Sequence, residues 1–219
     1  MRVSAEQRRR ELAAAALRVV VRDGVAAATI RAIVAEAGMK LASFHYAYRS
    51  RDEVLREVVR LVVEGERETT AAALAEAAAP PASGRADEAG GPELLAALTR
   101  RTLGAYLASV HADPGREQGM LELTFTALRT PELEGVAAEQ YAQYRGLVAE
   151  ILAAGAELAG MRWTAPLEEL ARAIVAISDG LTVAALVDPD ADLEPVLDLL
   201  VPALVARAEP ALTAERIPG

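Results

Sequence analysis

The chain has 219 residues, enough to bury a substantial core as one domain or two small ones. It contains no cysteine, which excludes disulfides and thiolate metal sites, and its net charge of −9 taken whole argues against nucleic acid as a partner. The charge is unevenly spread, however: residues 1–51 hold ten Arg and Lys against four Asp and Glu, a net of +6, and the remainder holds thirteen against twenty-eight, a net of −15. A basic N-terminal module on an acidic body fits nucleic-acid contact, although acidic helices also serve solubility alone.

Read in chain order, nearly every segment is helical. Arg8, Arg9 and Arg10 precede an alanine-rich run as in a signal peptide, but the uninterrupted apolar stretch 12–17 is six residues long, short of the roughly seven to fifteen of such a segment. No stretch approaches the ~18 apolar residues of a membrane span, so the expectation is a soluble cytoplasmic protein without a membrane partner. Ser4 and Gln7 form a capping box, Leu12, Ala16, Val19 and Val20 make one apolar face, and Gly24 stops the helix. Thr29 caps a second helix whose Ile30, Ile33, Val34 and Ala37 recur at helical spacing until Gly38 breaks it. A helix of about two turns follows near 40–46, and Ser50 with Glu53 opens a long one through Leu55, Val58, Val59 and Val62 to about residue 79.

The stretch 80–92, PPASGRADEAGGP, reads as a flexible connection. Pro92 suits the first turn of a helix running to about His111; Asp113-Pro114, Thr130-Pro131 and Thr164 with Pro166 mark three further starts. The acidic loop DPDAD precedes a last helix near 193–207, kinked at Pro202. No segment alternates with period two. The fold class is therefore all-α with about nine helices: an N-terminal three-helix helix-turn-helix domain at 1–50, joined by a long helix to a helical domain at 51–219.

The stretch 29–55 holds the chemistry. If Phe44 points inward, Tyr48 at i+4 joins it, and Ala42, Ser43, His45 and Tyr46 turn outward. Small residues at Ala42 and Ser43 would let the backbone approach base edges: Ala42 toward a thymine methyl, Ser43 toward a base edge or phosphate, and Arg31 toward a guanine. Lys40, Arg51, His45 and Tyr46 suit phosphates, and Leu41 lies on the same first turn. The plainer alternative is a short amphipathic helix with His45 and Tyr46 partly packed.

The run AEAGMKLASFHYAYRSRDEVL resembles the signature of the tetracycline-repressor (TetR) family of bacterial transcriptional regulators. Ile33, Ala37, Gly38, Met39, Ser43, Phe44, Tyr48, Ser50, Arg51, Asp52 and Val54 stand at matching positions, and the resemblance covers about residues 4–60. Lys40 replaces a small polar residue of the pattern, and His45-Tyr46 departs from its usual tyrosine followed by His or Tyr, which bears on the choice of operator. The resemblance implies a homodimer on double-stranded DNA, a pseudo-palindromic operator and a repressor released by a small effector, and the few charges on the body's helix faces point to an apolar or aromatic one.

By the same resemblance, Leu103, Tyr106, Leu107, Phe125, Leu128, Tyr141, Tyr144 and Val148 are expected to line the effector pocket. Leu170, Ile174, Ile177 and Leu181 on one helix, with Val196, Leu200, Ala203 and Leu204 on the next, are expected to form a four-helix dimer interface. Such stripes by themselves describe an intramolecular core, and the resemblance is what assigns them to a partner. Trp163 reads as a packing anchor.

Other constellations fail. Asp188, Asp190 and Asp192 alternate like a calcium loop, but Leu193 and Leu199 occupy the glycine and glutamate positions. His45 and His111 are far apart and lack thiol partners, and no nucleotide-binding glycine loop or nucleophile elbow occurs. The expectation is no enzyme, no metal, no cofactor and no catalytic residue. The rival readings are a helical small-molecule binding or interaction protein without an operator, and a helical enzyme using acidic and tyrosine residues of the body.

Overall fold

The structure, a computed structural model, describes residues 4–78 and 91–211. The chain divides into two compact units, Met1–Arg67 with Ser109–Tyr144 and Glu68–Ala108 with Arg145–Gly219. Of the expected flexible stretch, 80–90 lies outside the described residues, while Gly91 and Pro92 open a helix.

The first unit begins with α1 (Ala5–Asp23), capped by the Ser4 hydroxyl, which accepts from the Gln7 N–H at 3.0 Å. Leu12, Ala13, Ala15, Ala16, Val19 and Val20 are buried. Gly24 ends it at φ 85°, a conformation open to glycine. The Thr29 hydroxyl accepts from the Ala32 N–H at 3.2 Å and starts α2 (Ile30–Glu36), and Gly38 at φ 64° turns the chain into α3 (Leu41–Ala47). Lys40 occupies the N-cap of α3 without a side-chain cap bond.

The first seventeen residues of α4 (Arg51–Ala78), the end of α5 (Gly91–Ala112), α6 (Pro114–Ala127) and the start of α7 (Val136–Leu158) complete this unit. Thr130-Pro131 does not begin a long helix: Pro131–Leu133 is one 3-10 turn, and Gly135 at φ 84° separates it from α7. The Asp113 carboxylate accepts from the Arg116 N–H at 3.0 Å, and Pro114 takes the first turn of α6. Two glycines let α6 lie close on α1. A Cβ at Gly119 would stand 2.9 Å from Val20 Cγ1, and one at Gly115 3.1 Å from Val21 Cγ1.

The second unit holds the remaining parts of α4, α5 and α7, then β1 (Met161–Trp163), α8 (Leu167–Val187), α9 (Glu194–Val205) and β2 (Ala208–Pro210). The strands pair antiparallel, with Arg162 opposite Glu209; three residues each are too few for the alternation by which strands are read from sequence. Thr164 is not a helix cap, since its hydroxyl donates to the Arg207 carbonyl at 2.8 Å and ties the chain before α8 to the chain after α9. Trp163 anchors this corner by donating its indole N–H to the Leu152 carbonyl at 2.8 Å.

The core of this unit contains Leu103, Leu107, Leu152, Leu170, Ile174, Leu181, Leu197, Val201 and Leu204. Here the expectation of an interface stripe is corrected: Leu170, Ile174, Leu181 and Leu204 are buried within their own unit, and Ile177 and Leu200 pack half-buried against them. The α8 face that the helical period identifies points inward, whereas Val196 and Ala203 of the α9 stripe are exposed. A second correction concerns length and apolarity: α8 is long and apolar enough to cross a membrane, although its Leu170, Ala171, Ile174, Val175, Leu181 and Ala185 are buried in this core.

The close approach of α6 to α1 makes a testable pair. Gly119→Ala crowds the stiff Val20 side chain and should lower the unfolding free energy by about 1–2 kcal/mol. Gly146→Ala, in α7 with nothing within 4 Å of the added carbon, should raise it by about 0.5–1 kcal/mol. Urea denaturation of both variants checks the signs.

Candidate nucleic-acid interface and effector region

A seven-residue helix is too short to hold its shape alone, so α3 depends on what lies behind it. Phe44 is fully buried and Tyr48 nearly so, their ring centroids 5.7 Å apart. The Tyr48 hydroxyl donates to the Arg9 carbonyl at 2.8 Å, and the Arg9 guanidinium stacks 4.2 Å from the Tyr48 ring centroid. Burial pushes the Tyr48 phenol above its ordinary range. The same guanidinium donates to the Ala47 carbonyl at the end of α3 and pairs with Glu53 at 3.1 Å. Glu53 also accepts from the Arg49 N–H at 2.8 Å, and that bond, aided by Arg9, holds its carboxyl below the usual range. The expected capping box is thus shifted by one residue: Ser50 accepts from the Glu53 N–H, but Glu53 reaches back to Arg49 rather than Ser50.

With Phe44, Ala47 and Tyr48 inward, the opposite face is open. Leu41, Ala42, His45 and Tyr46 are exposed, Tyr46 at 84%, and Ser43 is half-buried. Arg31 in the first turn of α2 and Lys40 at the N-cap of α3 are exposed and form no ion pair among the described residues. Arg51 is a different case. Its guanidinium donates to the Ala28 carbonyl at 2.9 Å and to the Val25 carbonyl, stapling the loop before α2 onto the start of α4. Its expected place on a phosphate is therefore joined by a structural role, which uses two of the five guanidinium N–H groups. Arg18 and Arg22 are similarly engaged, both pairing with Glu36 and holding its carboxyl below the usual range.

The residues expected around an effector do not all have the same surroundings. Leu103 and Leu107 sit in the core of the second unit with Val148 packed against it, and the Tyr106 hydroxyl lies 2.5 Å from the Thr182 hydroxyl. In the first unit Tyr141 and Tyr144 meet edge to face at 5.9 Å, whereas Phe125 and Leu128 are exposed, at 59% and 69%. Apolarity alone carries no sign of which face of a helix turns inward, and these two face outward.

The sequence reading missed a polar set in the first unit. Glu117 of α6 is buried, paired with Arg116 at 2.7 Å. Burial, and then the nearby Glu117 charge, push the Glu66 carboxyl of α4 up to about 7, opposed by Arg116. A third acid of this unit, Glu122, accepts from the Val25 N–H at 2.9 Å and so fastens α6 to the loop after α1. The signal available in the sequence was that acidic residues interrupt otherwise apolar helix faces, which composition alone does not distinguish from a solvated surface.

The sequence family of bacterial regulatory proteins, tetR family, matches residues 12–58, and that of the BetI-type transcriptional repressor C-terminal region matches residues 95–208, more than half of the chain. The chain belongs to the tetR family. Members similar to it include the nicotine-responsive transcriptional repressor HdnoR of Paenarthrobacter nicotinovorans, 28% identical over 208 residues that cover 94% of this chain and 98% of the relative. Among solved structures, the multidrug binding protein EbrR complexed with malachite green is 27% identical, with a TM-score of 0.58 over 90% of this chain and 98% of that one. A transcriptional regulator of Pseudomonas aeruginosa PAO1, 24% identical, shares the fold at a TM-score of 0.64 over 94% and 91%. As a tetR-family member the chain is a DNA-binding transcriptional regulator, and the helix-turn-helix signature, the all-α architecture and the family agree.

Two expected outcomes follow from these contacts. Lys40→Ala should leave the unfolding free energy within about 0.5 kcal/mol of the parent while weakening DNA binding, whereas Arg51→Ala should destabilise by about 1–3 kcal/mol because it removes the side-chain donor to the Ala28 carbonyl and leaves the Val25 carbonyl with the Ala28 N–H alone. Thermal melts beside gel-shift titrations separate the two. For Glu66, the folded carboxyl stays protonated while the unfolded one ionises, between its ordinary 4.5 and about 7, so its contribution to stability falls as pH rises through that window. Glu66→Gln should therefore be more stable than the parent by about 1–3 kcal/mol at pH 8 and gain almost nothing at pH 4.5.

Proposed function

We propose that this regulator is a homodimeric repressor that leaves a pseudo-palindromic operator when a basic, largely aromatic or apolar molecule binds its body. The observation that carries the DNA reading is the exposed face of α3, backed by buried Phe44 and Tyr48 and flanked by Arg31 and Lys40. Arg31, Lys40, Leu41, Ala42, Ser43, His45 and Tyr46 are the proposed contacts. Arg31 and Ala42 would read base edges, and Lys40 would position the module on phosphate.

Dimerisation rests on faces that the unit's own core leaves bare. On α8 these are Ala173, Ala176, Gly180, Val183 and Val187, and on α9 Val196, Leu199 and Ala203. Val187 and Leu199 are 79% and 77% exposed, which is a cost in water that a second copy would remove. Two recognition helices would then address half-sites ~34–36 Å apart or a multiple of that.

The effector reading departs from a purely apolar molecule. Glu66 and Glu117 set two carboxyls against one guanidinium in a desolvated place, an arrangement that an organic cation would neutralise. Two relatives point the same way: one is named nicotine-responsive and another is complexed with malachite green, and both compounds join a basic or cationic nitrogen to aromatic rings. Coupling to DNA has two short paths in the same unit. Glu66 lies on α4, whose start Arg51 staples to the loop before α2, and Glu117 lies on α6, whose Glu122 holds the Val25 N–H. A shift of either helix would tilt α2 and α3, and by linkage effector and operator would weaken each other by the same factor.

Selection of bound duplexes from a random DNA pool tests the regulator reading. The expected product is an inverted repeat whose affinity falls steeply and linearly in log terms with salt. Enrichment of no common sequence, with equal retention of scrambled duplexes, would instead support the binding protein without an operator.

A further inference from the structure

Gln140 lies on the inner face of α7 in the first unit and is 1% exposed. Its amide nitrogen uses both hydrogens, donating to the Met120 carbonyl at 3.3 Å and to the Tyr144 hydroxyl at 3.2 Å. That pattern fixes the orientation of the amide, because the reversed group would press its oxygen against the Met120 carbonyl. The oxygen Oε1 then meets no donor. It is the one buried side-chain nitrogen or oxygen without a partner among the described residues. An acceptor left bare in a dry interior is destabilising, and a leucine or methionine would avoid the cost. The Met120 carbonyl has a second donor in the Thr124 hydroxyl at 3.1 Å, so holding that carbonyl does not by itself explain a glutamine here.

The surroundings indicate what the oxygen awaits. Tyr144, which accepts from the same amide, pairs edge to face with Tyr141, and on α6 Met120 stands one turn from buried Glu117, whose charge Glu66 feels. An aromatic wall, an excess of carboxyl groups and an unused neutral acceptor suit a cation that also carries a hydrogen to donate. We propose that Gln140 Oε1 accepts the N–H of a protonated amine effector and so selects such amines over quaternary ammonium ions of the same charge. This rests on the cationic-effector reading above. A quaternary ion would satisfy Glu66 and Glu117 equally well but would press methyl groups against Oε1 and leave it unpaired, so the discrimination comes from this oxygen rather than from charge.

The test uses two probes of equal charge and similar size: N,N-dimethylbenzylamine, which carries one N–H when protonated, and benzyltrimethylammonium, which carries none. Calorimetric titration of the full-length protein at pH 7 should show the amine binding about tenfold more tightly, as expected for one hydrogen bond between a charged donor and a buried acceptor. In Gln140→Leu and Gln140→Met the preference should fall to within about twofold, with melting temperatures no lower than that of the parent. Either variant suffices if the other does not fold. Equal binding of the two probes by the parent protein, or an unchanged preference in the variants, overturns the role of Gln140 and leaves the cationic-effector reading standing. Binding of neither probe by the parent overturns both together.

Discussion

The recognition helix exists because it is gripped from behind. Seven residues cannot sustain a helix in water, and α3 keeps its form only while Phe44 and Tyr48 are buried against α1 and the Arg9 side chain bridges Tyr48, the Ala47 carbonyl and Glu53. One arginine on the first helix therefore fixes the end of the third and the beginning of the fourth. Ala42, His45 and Tyr46 stay exposed on the opposite face, where only the edge contact of His45 with Phe44 ties a side chain to that grip.

The same logic sorts the positive charge of the N-terminal module. Arg9, Arg18, Arg22 and Arg51 are all committed within the fold, to carboxylates or to carbonyls at helix ends. The net charge of the segment thus overstates what faces a partner. Arg31 and Lys40 stand beside the exposed face of α3, so position rather than number decides which cations can reach a phosphate or a base. The body shows the complementary pattern. In the first unit Glu66 and Glu117 are withdrawn from water beside Arg116, and Glu122 is spent on the Val25 N–H.

Local features were legible in the sequence to different degrees. The caps at Ser4, Thr29 and Asp113, the glycine stops at Gly24 and Gly38, and the inward pair Phe44 and Tyr48 follow from spacing and side-chain chemistry over a few residues, and each has that role in the structure. Legibility ended where a residue had two chemically valid uses. The guanidinium of Arg51 fits a phosphate or a carbonyl, and its bonds to Val25 and Ala28 follow only from their distance in space. Thr130-Pro131 has the composition of a helix start, but Gly135 breaks the chain before the helix can run. Leu170, Ile174 and Leu181 form a correct helical stripe, yet periodicity has no preference between a partner's surface and the chain's own core.

By itself the sequence determined the all-α class, the caps and glycine stops of the first helices, the position of the helix-turn-helix and the family it belongs to, because these depend on residue order within one or two turns. Only the tertiary structure decided which apolar stripe is core and which is bare, as with Leu170 inside and Val187 outside on the same helix. It also decided which arginines are bound within the fold, and it revealed Gln140 with one amide atom satisfied and the other not. The physical reason is that burial and hydrogen-bond satisfaction are properties of neighbours brought together from distant parts of the chain. A hydrogen bond between Gln140 and Met120, or between Val25 and Glu122, leaves no local trace in residue order.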